Sequence, residues 1–257
     1  MKITILTLFP EMFTNFLETS IIKKAILQGH VTFDIVNIRD FADNKWNRVD
    51  TPPVGGGAGM ILQVDPIIRA LESVDTGHKM LLSPRGAVLT NMKATELSLK
   101  DHLIFICGHY EGVDERVTHY IDEEISIGDY ILTGGELGAM VVSDAVIRLL
   151  DEVISSDSLD VESFDYHLLE YPQYTEPYDF RGYKVPTILY SGDHAAIQKW
   201  RLKESLRITR KRRPDLFKKI TKDNVIKSLL KEIDDDIIGD WEKEAIEKGS
   251  RFTKDKK

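Results

Sequence analysis

The sequence predicts an α/β fold with a parallel sheet. Three observations carry it. Strand-like runs alternate with helix-like runs from residue 1 to about residue 154, the pattern that lays helices on the faces of a parallel sheet. Three of those strands end in glycine-bearing turns, the position at which open α/β sheets hold ligands. The 257 residues, 42% hydrophobic and 30% charged, have the composition of a soluble globular chain with room for one large or two modest domains.

"KITILTLF" (2–9) reads as a buried strand. "EMFTNFLETSIIKKAILQG" (11–29) reads as a helix that Gly29 stops. "VTFDIVNI" (31–38) alternates and is β-branched, hence a strand. From Arg39 to Gly59 the period is lost in a polar stretch rich in Pro and Gly; loops of that length inside a domain are functional or disordered. A helix resumes in "VDPIIRALESV" (64–74), with Asp65 as cap and Pro66 at its first position. "KMLLS" (79–83) is a strand that stops at "PRG", "TNMKATELSLK" (90–100) is a helix, and "HLIFIC" (102–107) is a strand that stops at "GHYEG". "VDERVTHYI" (113–121) is a short helix, "EEISIGDYIL" (123–132) a strand and "ELGAMVVSDAVIRLLDEVI" (136–154) a long helix.

These elements make residues 1–154 one α/β domain. The acidic, aperiodic "SSDSLDVESFD" (155–165) reads as a flexible linker. Residues 166–257 form a smaller, mainly helical carboxyl-terminal domain: a segment rich in Pro, Tyr and Gly, a helix with a basic turn over 195–219, and a charged helical tail.

Thirty-four basic against forty-two acidic residues give a net charge of −8, which argues against nucleic acid unless a basic patch is local. Such a patch exists. Residues 199–219 carry ten Lys and Arg, including Lys199, Arg201, Lys203, Arg207, Arg210, Arg212 and Arg213, against Glu204 and Asp215, a local net of +8. An aliphatic period (Leu202, Leu206, Ile208) gives this segment one core face and one positive face suited to phosphates, preferentially those of RNA. The competing reading is a solvated helix face.

The single cysteine, Cys107, excludes a disulfide framework and suits a reducing cytoplasm; in its apolar run it reads as a small buried hydrophobe. The amino terminus lacks a signal-peptide cleavage site, and no apolar run approaches the roughly 20 residues of a membrane span. The seven histidines stand at no metal-ligand spacing, so no metal site is read from them. Without GxSxG, and with the cysteine in an apolar run, covalent nucleophilic catalysis is disfavoured.

The turns Ser83–Gly86, Gly108–Gly112 and Leu132–Gly135 should converge at one sheet edge and expose backbone N–H and C=O groups to a ligand such as an adenine ring. Neither GxGxxG nor a P-loop lysine is present, which argues against a pyrophosphate or triphosphate. Any one such turn, taken alone, is simply a tight turn.

Together, "LFPEMF" (8–13), "VGGGAGM" (54–60), "LSPRG" (82–86), "CGHYEGVDERV" (107–117) and "EEISIGDYILTGGELGAM" (123–140) resemble the bacterial tRNA (guanine-37-N1)-methyltransferases, the TrmD family. "LLEYPQYTEP" (168–177) and "VPTILYSGDHAAIQKWRLKESLRITRKRRPDL" (185–216) extend the resemblance over nearly the whole chain.

The resemblance implies the SPOUT fold, an α/β domain tied in a deep trefoil knot, which no periodicity argument predicts. It implies S-adenosylmethionine bound in three knot loops. In the first it points to Leu81, Leu82, Ser83 and Pro84, and in the second to Gly108, Tyr110 and Glu111. In the third it points to Ile127, Gly128, Asp129, Tyr130, Ile131 and Leu132, followed by Gly134 and Gly135. It implies an obligate homodimer with shared active sites, and a carboxyl-terminal domain that grips the anticodon arm of tRNA through Lys199, Arg201, Arg207, Arg210, Arg212 and Arg213. The family is also linked to magnesium. Glu111 is the carboxylate near the cofactor to place it, although the sequence shows no dedicated cage.

Guanine N1 is protonated at neutral pH, so its methylation needs a base, and charge building on O6 needs a cationic donor. By resemblance the base falls at Glu162 in "VESF", where the family has an Asp, with Asp160 and Asp165 as fallbacks; the O6 donor falls at Arg148 in "DAVIRLL". Read without the family, Glu162 is a solubilising linker residue and Arg148 a helix surface charge. The chain further departs from the family at Gln173 and Glu176 in "YPQYTEP", where relatives carry His and Arg, and at Ala58. A knotted ribose methylase and a non-catalytic RNA-binding scaffold are the competing readings.

Overall fold

The computed structural model describes residues 1–154, 164 and 167–253. The chain divides into two compact units, Met1–Ser155 and Ser156–Lys257.

The first unit is built on a five-stranded sheet. Its strands are β1 (Lys2–Thr7), β2 (Thr32–Asn37), β5 (His78–Val88), β6 (His102–Cys107) and β7 (Glu123–Ser126), in the order β2-β1-β6-β5-β7. Every pairing in it is parallel. β6 is central and buried at every residue, which is why "HLIFIC" is apolar without alternation. The pleat divides its side chains between two cores. Leu103, Phe105 and Cys107 pack with Ile3, Ile5 and helices α2 (Ser20–Leu27), α4 (Asn91–Ser98) and α5 (Glu136–Ile147). Ile104 and Ile106 pack with Leu6 and with α3 (Val64–Glu72) on the other face. A buried polar pair between β6 and β1 is satisfied: His102 Nε2 and Thr4 Oγ1 lie 2.8 Å apart.

Several expected elements differ in extent. The helix expected over 11–29 breaks into a 3-10 turn (Pro10–Phe13), a single turn α1 (Thr14–Leu17) and α2, because Thr19 is extended and Ser20 has φ 55°. The long loop after Arg39 holds two short strands, β3 (Asp50–Thr51) and β4 (Ile61–Leu62), paired antiparallel. The helix expected over 113–121 is a 3-10 helix, Glu115–Tyr120. The strand expected over 123–132 ends at Ser126, whose hydroxyl accepts from Gly128 N (3.2 Å) as the chain turns through φ 146° at that glycine. α5 stops at Ile147, and the next residues form i→i−3 turns, Leu149 N to Val146 O and Leu150 N to Ile147 O.

The second unit holds a small hairpin, β8 (Asp179–Phe180) and β9 (Tyr183–Lys184), then α6 (His194–Arg212), α7 (Pro214–Phe217), α8 (Asn224–Asp234) and α9 (Asp240–Thr253). Pro214 divides the helix expected over 195–219, since the residue before a proline is pushed out of helical geometry and Arg213 has φ −135° and ψ 69°. Ile188, Trp200 and Ala245 form one small core, and Leu206, Ile220 and Leu229 another. Among the described residues no helix is long and apolar enough to cross a membrane.

Candidate active site

The middle of β5 and the carboxyl ends of β6 and β7 surround a cavity of about 550 Å³. Three loops build it. In the first, Leu82 and Ala87 both pair with Ile125, so residues 83–86 bulge out of the ladder instead of ending the strand. Leu81, Leu82, Ser83, Pro84 and Arg85 line the cavity from this bulge. Gly86 returns it to the sheet: a Cβ there would meet the Glu124 carbonyl carbon at 2.4 Å.

The second loop follows β6 and contributes Gly108, His109, Tyr110 and Glu111. Tyr110 N donates to His109 Nδ1 (3.0 Å), which leaves Nε2 as the protonated nitrogen of the neutral ring. The loop is braced from behind by the glycine-rich segment before β4. Glu111 N donates to Met60 O (3.0 Å), and Leu62 N donates to Gly112 O (3.0 Å).

The third loop follows β7. Ile127, Gly128, Tyr130, Ile131 and Leu132 line the cavity, then Gly134 and Gly135; Asp129 is absent from the lining. This loop leaves β7 at the sheet edge yet reaches β6, two strands inward. Gly135 N donates to Gly108 O (2.9 Å), and His109 and Gly134 form an isolated antiparallel bridge. A Cβ on Gly135 would stand 2.8 Å from Cys107 Cα and 3.1 Å from Leu82 Cβ. A Cβ on Gly134 would in turn stand 2.7 Å from His109 Cδ2, so both glycines are required where the loop wedges against Leu82 of β5 and the end of β6.

The charged side chains lining the cavity are Arg85, Glu111 and Glu115. Arg85 donates from Nη1 to Glu115 (2.8 Å) and from Nη2 and Nε to Glu124 (3.0 and 3.3 Å). Behind the wall, Glu136 is buried and accepts from Thr7 Oγ1 (2.8 Å), in the first turn of α5 where the helix dipole favours a negative charge. Cys107 is fully buried. Burial, with a smaller contribution from the Glu136 charge, pushes its thiol well above the ordinary range, so it is no nucleophile.

Arg148 caps α5, half-buried, and is not among the residues lining this cavity. Glu162, with its fallbacks Asp160 and Asp165, lies outside the described residues, as does nearly all of the expected linker. Arg85, His109 and Glu115 line the cavity but were not singled out by sequence. Arg85 and His109 sit inside the glycine turns, which was the available signal, whereas Glu115 carries none. Among the described residues, no group of three or more His, Cys, Asp or Glu side chains could hold a metal ion.

The basic segment of the second unit is less free than its charge count implies. Lys203 is buried and donates to Glu232 and Glu242 (both 2.8 Å), so it is a core residue. Arg210 pairs with Asp234, Arg213 with Asp215 (2.6 Å) and Arg207 with Glu204 (3.2 Å). Lys199 lies 4.5 Å over the Trp241 ring, and Arg201 lies 4.7 Å over Tyr171. Arg212 and Lys211 are exposed and have no ion-pair partner among the described residues. The net of +8 omitted the acids that α8 and α9 bring to this face.

The family model described as "tRNA (Guanine-1)-methyltransferase TrmD" matches residues 1–219. The chain is 53% identical over 250 residues to the tRNA (guanine-N(1)-)-methyltransferase of Geobacillus kaustophilus, covering 95% of this chain and 99% of that one. It is 55% identical over 224 residues to the protein of the same name from Anoxybacillus flavithermus (84% and 91% covered), and 51% identical over 240 residues to that from Brevibacillus brevis (91% and 98%). A match of this extent, carried through all three loops of the cavity, makes the chain a member of the tRNA (guanine-1)-methyltransferase TrmD family.

Proposed function

We infer that this chain methylates N1 of guanosine 37 in tRNA, beside the anticodon, with S-adenosylmethionine as donor. The observation that carries the reading is the coincidence of two findings. The family match spans the loops of one cavity, and that cavity has the walls an adenosyl group needs. Its size lies within the roughly 300–1,000 Å³ of small-molecule sites. Gly108 and Gly134, without side chains, bring backbone to the cavity wall where it can read an adenine, while Leu82, Ile127 and Leu132 supply apolar faces. Bound there, S-adenosylmethionine supplies an electrophilic methyl group.

The chain's own residues must then manage one proton and one developing charge. We assign proton removal from guanine N1 to the Glu162 carboxylate and the balancing of charge on O6 to Arg148. Since Arg148 does not line the cavity of its own chain, that role fits a site completed by a second copy. Leu137 and Val141 on one face of α5 and Ile131 in the third loop are exposed apolar side chains that support a homodimer. The inward reach of the third loop supports a knotted chain path, and the cations of α6 support residues 166–257 as the tRNA-binding part.

Product digestion tests the reading. Labelled methyl is expected in 1-methylguanosine; label on a ribose, or cofactor binding without transfer, would overturn it.

A further inference from the structure

Among the described residues that line the cavity, Arg85 is the sole Lys or Arg. Its two carboxylate partners differ in kind. Glu124 is largely buried (22% exposed) and holds Nε and Nη2 from β7, fixing the guanidinium plane. Glu115 is 72% exposed and meets only Nη1. An exposed pair of that kind contributes little and exchanges readily. Both members of it, Arg85 and Glu115, face the same cavity.

Resting on the reading of this cavity as the S-adenosylmethionine site, the geometry points to Arg85 and Glu115 as an ion pair that opens to receive the zwitterionic amino-acid tail of the cofactor. Arg85, kept in place by Glu124, donates to the ligand carboxylate, a charge-assisted bond in the fork geometry that guanidinium favours. Glu115, released, accepts from the ligand ammonium. Each charge changes partner and none is left unpaired, so the exchange avoids the cost of a stranded charge. The pair then determines specificity: it selects cofactors with an intact amino-acid tail over adenosyl thioethers without one. Arg85 and Glu115 bind, and take no part in the methyl transfer.

The test is titration calorimetry on the full chain with two probes. S-adenosylhomocysteine carries the tail; 5′-methylthioadenosine has the same nucleoside and sulfur without it. Arg85→Gln is expected to weaken S-adenosylhomocysteine about tenfold and leave 5′-methylthioadenosine unchanged. Glu115→Gln, which keeps Arg85 anchored on Glu124, is expected to weaken the first about threefold and spare the second. Unchanged S-adenosylhomocysteine affinity in both variants would overturn the proposal, as would an equal loss for both probes, which would mark Arg85 as structural. If the unaltered chain bound neither probe, the cavity reading itself would fall with it; if it bound both equally, the cavity reading would stand and the tail site would not.

Discussion

The side chain of Glu111 lies directly against Gly59: a Cβ at that glycine would stand 2.4 Å from Glu111 Cγ and 2.5 Å from its Oε1. The long glycine-rich segment before β4 is thus the back wall of the second cavity loop. Gly59 also has φ 80°. Gly59→Ala should cost about 1–2 kcal/mol in backbone strain and displace Glu111 from the cavity. Binding of S-adenosylhomocysteine should weaken while the protein stays folded. Gly55→Ala, at φ 93° but with nothing within 4 Å, should carry only the strain and leave binding intact. Equal effects on binding would show that the wall contact is irrelevant.

Gly135→Ala should be the more damaging change. Its Cβ would meet the backbone of Cys107 and the Cβ of Leu82, neither of which can swing away. Destabilisation of about 1–3 kcal/mol and loss of cofactor binding are expected, read by denaturant unfolding and calorimetry. A variant that binds normally would mean that the third loop does not wedge where it is placed.

Cys107 should resist alkylation. Burial holds the thiol protonated at neutral pH, so iodoacetamide should label it only in denaturant. Labelling of the native protein at the rate of a free thiol would contradict its place in the core.

Lys203→Met should unfold part of the second unit more readily, by about 3 kcal/mol, because Glu232 and Glu242 would lose their shared cation. Lys211→Ala and Arg212→Ala should leave stability unchanged. Each should weaken tRNA binding and lower its salt slope by about one. If Lys203→Met shifted the salt slope without affecting stability, the division between core and surface cations would be wrong.

Asp215 should titrate at about 2 instead of 3.8, because Arg213 hydrogen-bonds its carboxylate. A carboxyl depressed in the folded state stabilises it above the unfolded pKa. That contribution is therefore present above pH of about 4 and fades as pH falls toward about 2. Carboxyl NMR titration should show the value return upward in Arg213→Ala. No change on that substitution would remove the pair as the cause.

The parallel sheet was legible because β6 is apolar at consecutive residues and β1 and β2 are β-branched, signals that depend on neighbouring residues alone. The convergence of the three loops was legible for the same reason, since glycines mark strand ends. What escaped was set by contacts distant in sequence. Strand β5 continues through "PRG" because Ala87 pairs with the same Ile125 as Leu82. Lys203 looked like one more surface cation until α8 and α9 brought Glu232 and Glu242 to it. Arg85 looked like a turn residue because Glu124, thirty-nine positions away, is what holds it at the cavity. The assignment of Glu162 came from resemblance alone, and its position lies outside the described residues.

If this cavity serves methyl transfer to guanosine 37, that base alone decides whether a tRNA is methylated. Labelled S-adenosylmethionine with two tRNA transcripts, identical except for guanosine or adenosine at position 37, tests it most directly. Transfer is expected to the guanosine transcript only, abolished in Gly135→Ala. Transfer to both transcripts, or undiminished transfer in that variant, would contradict it.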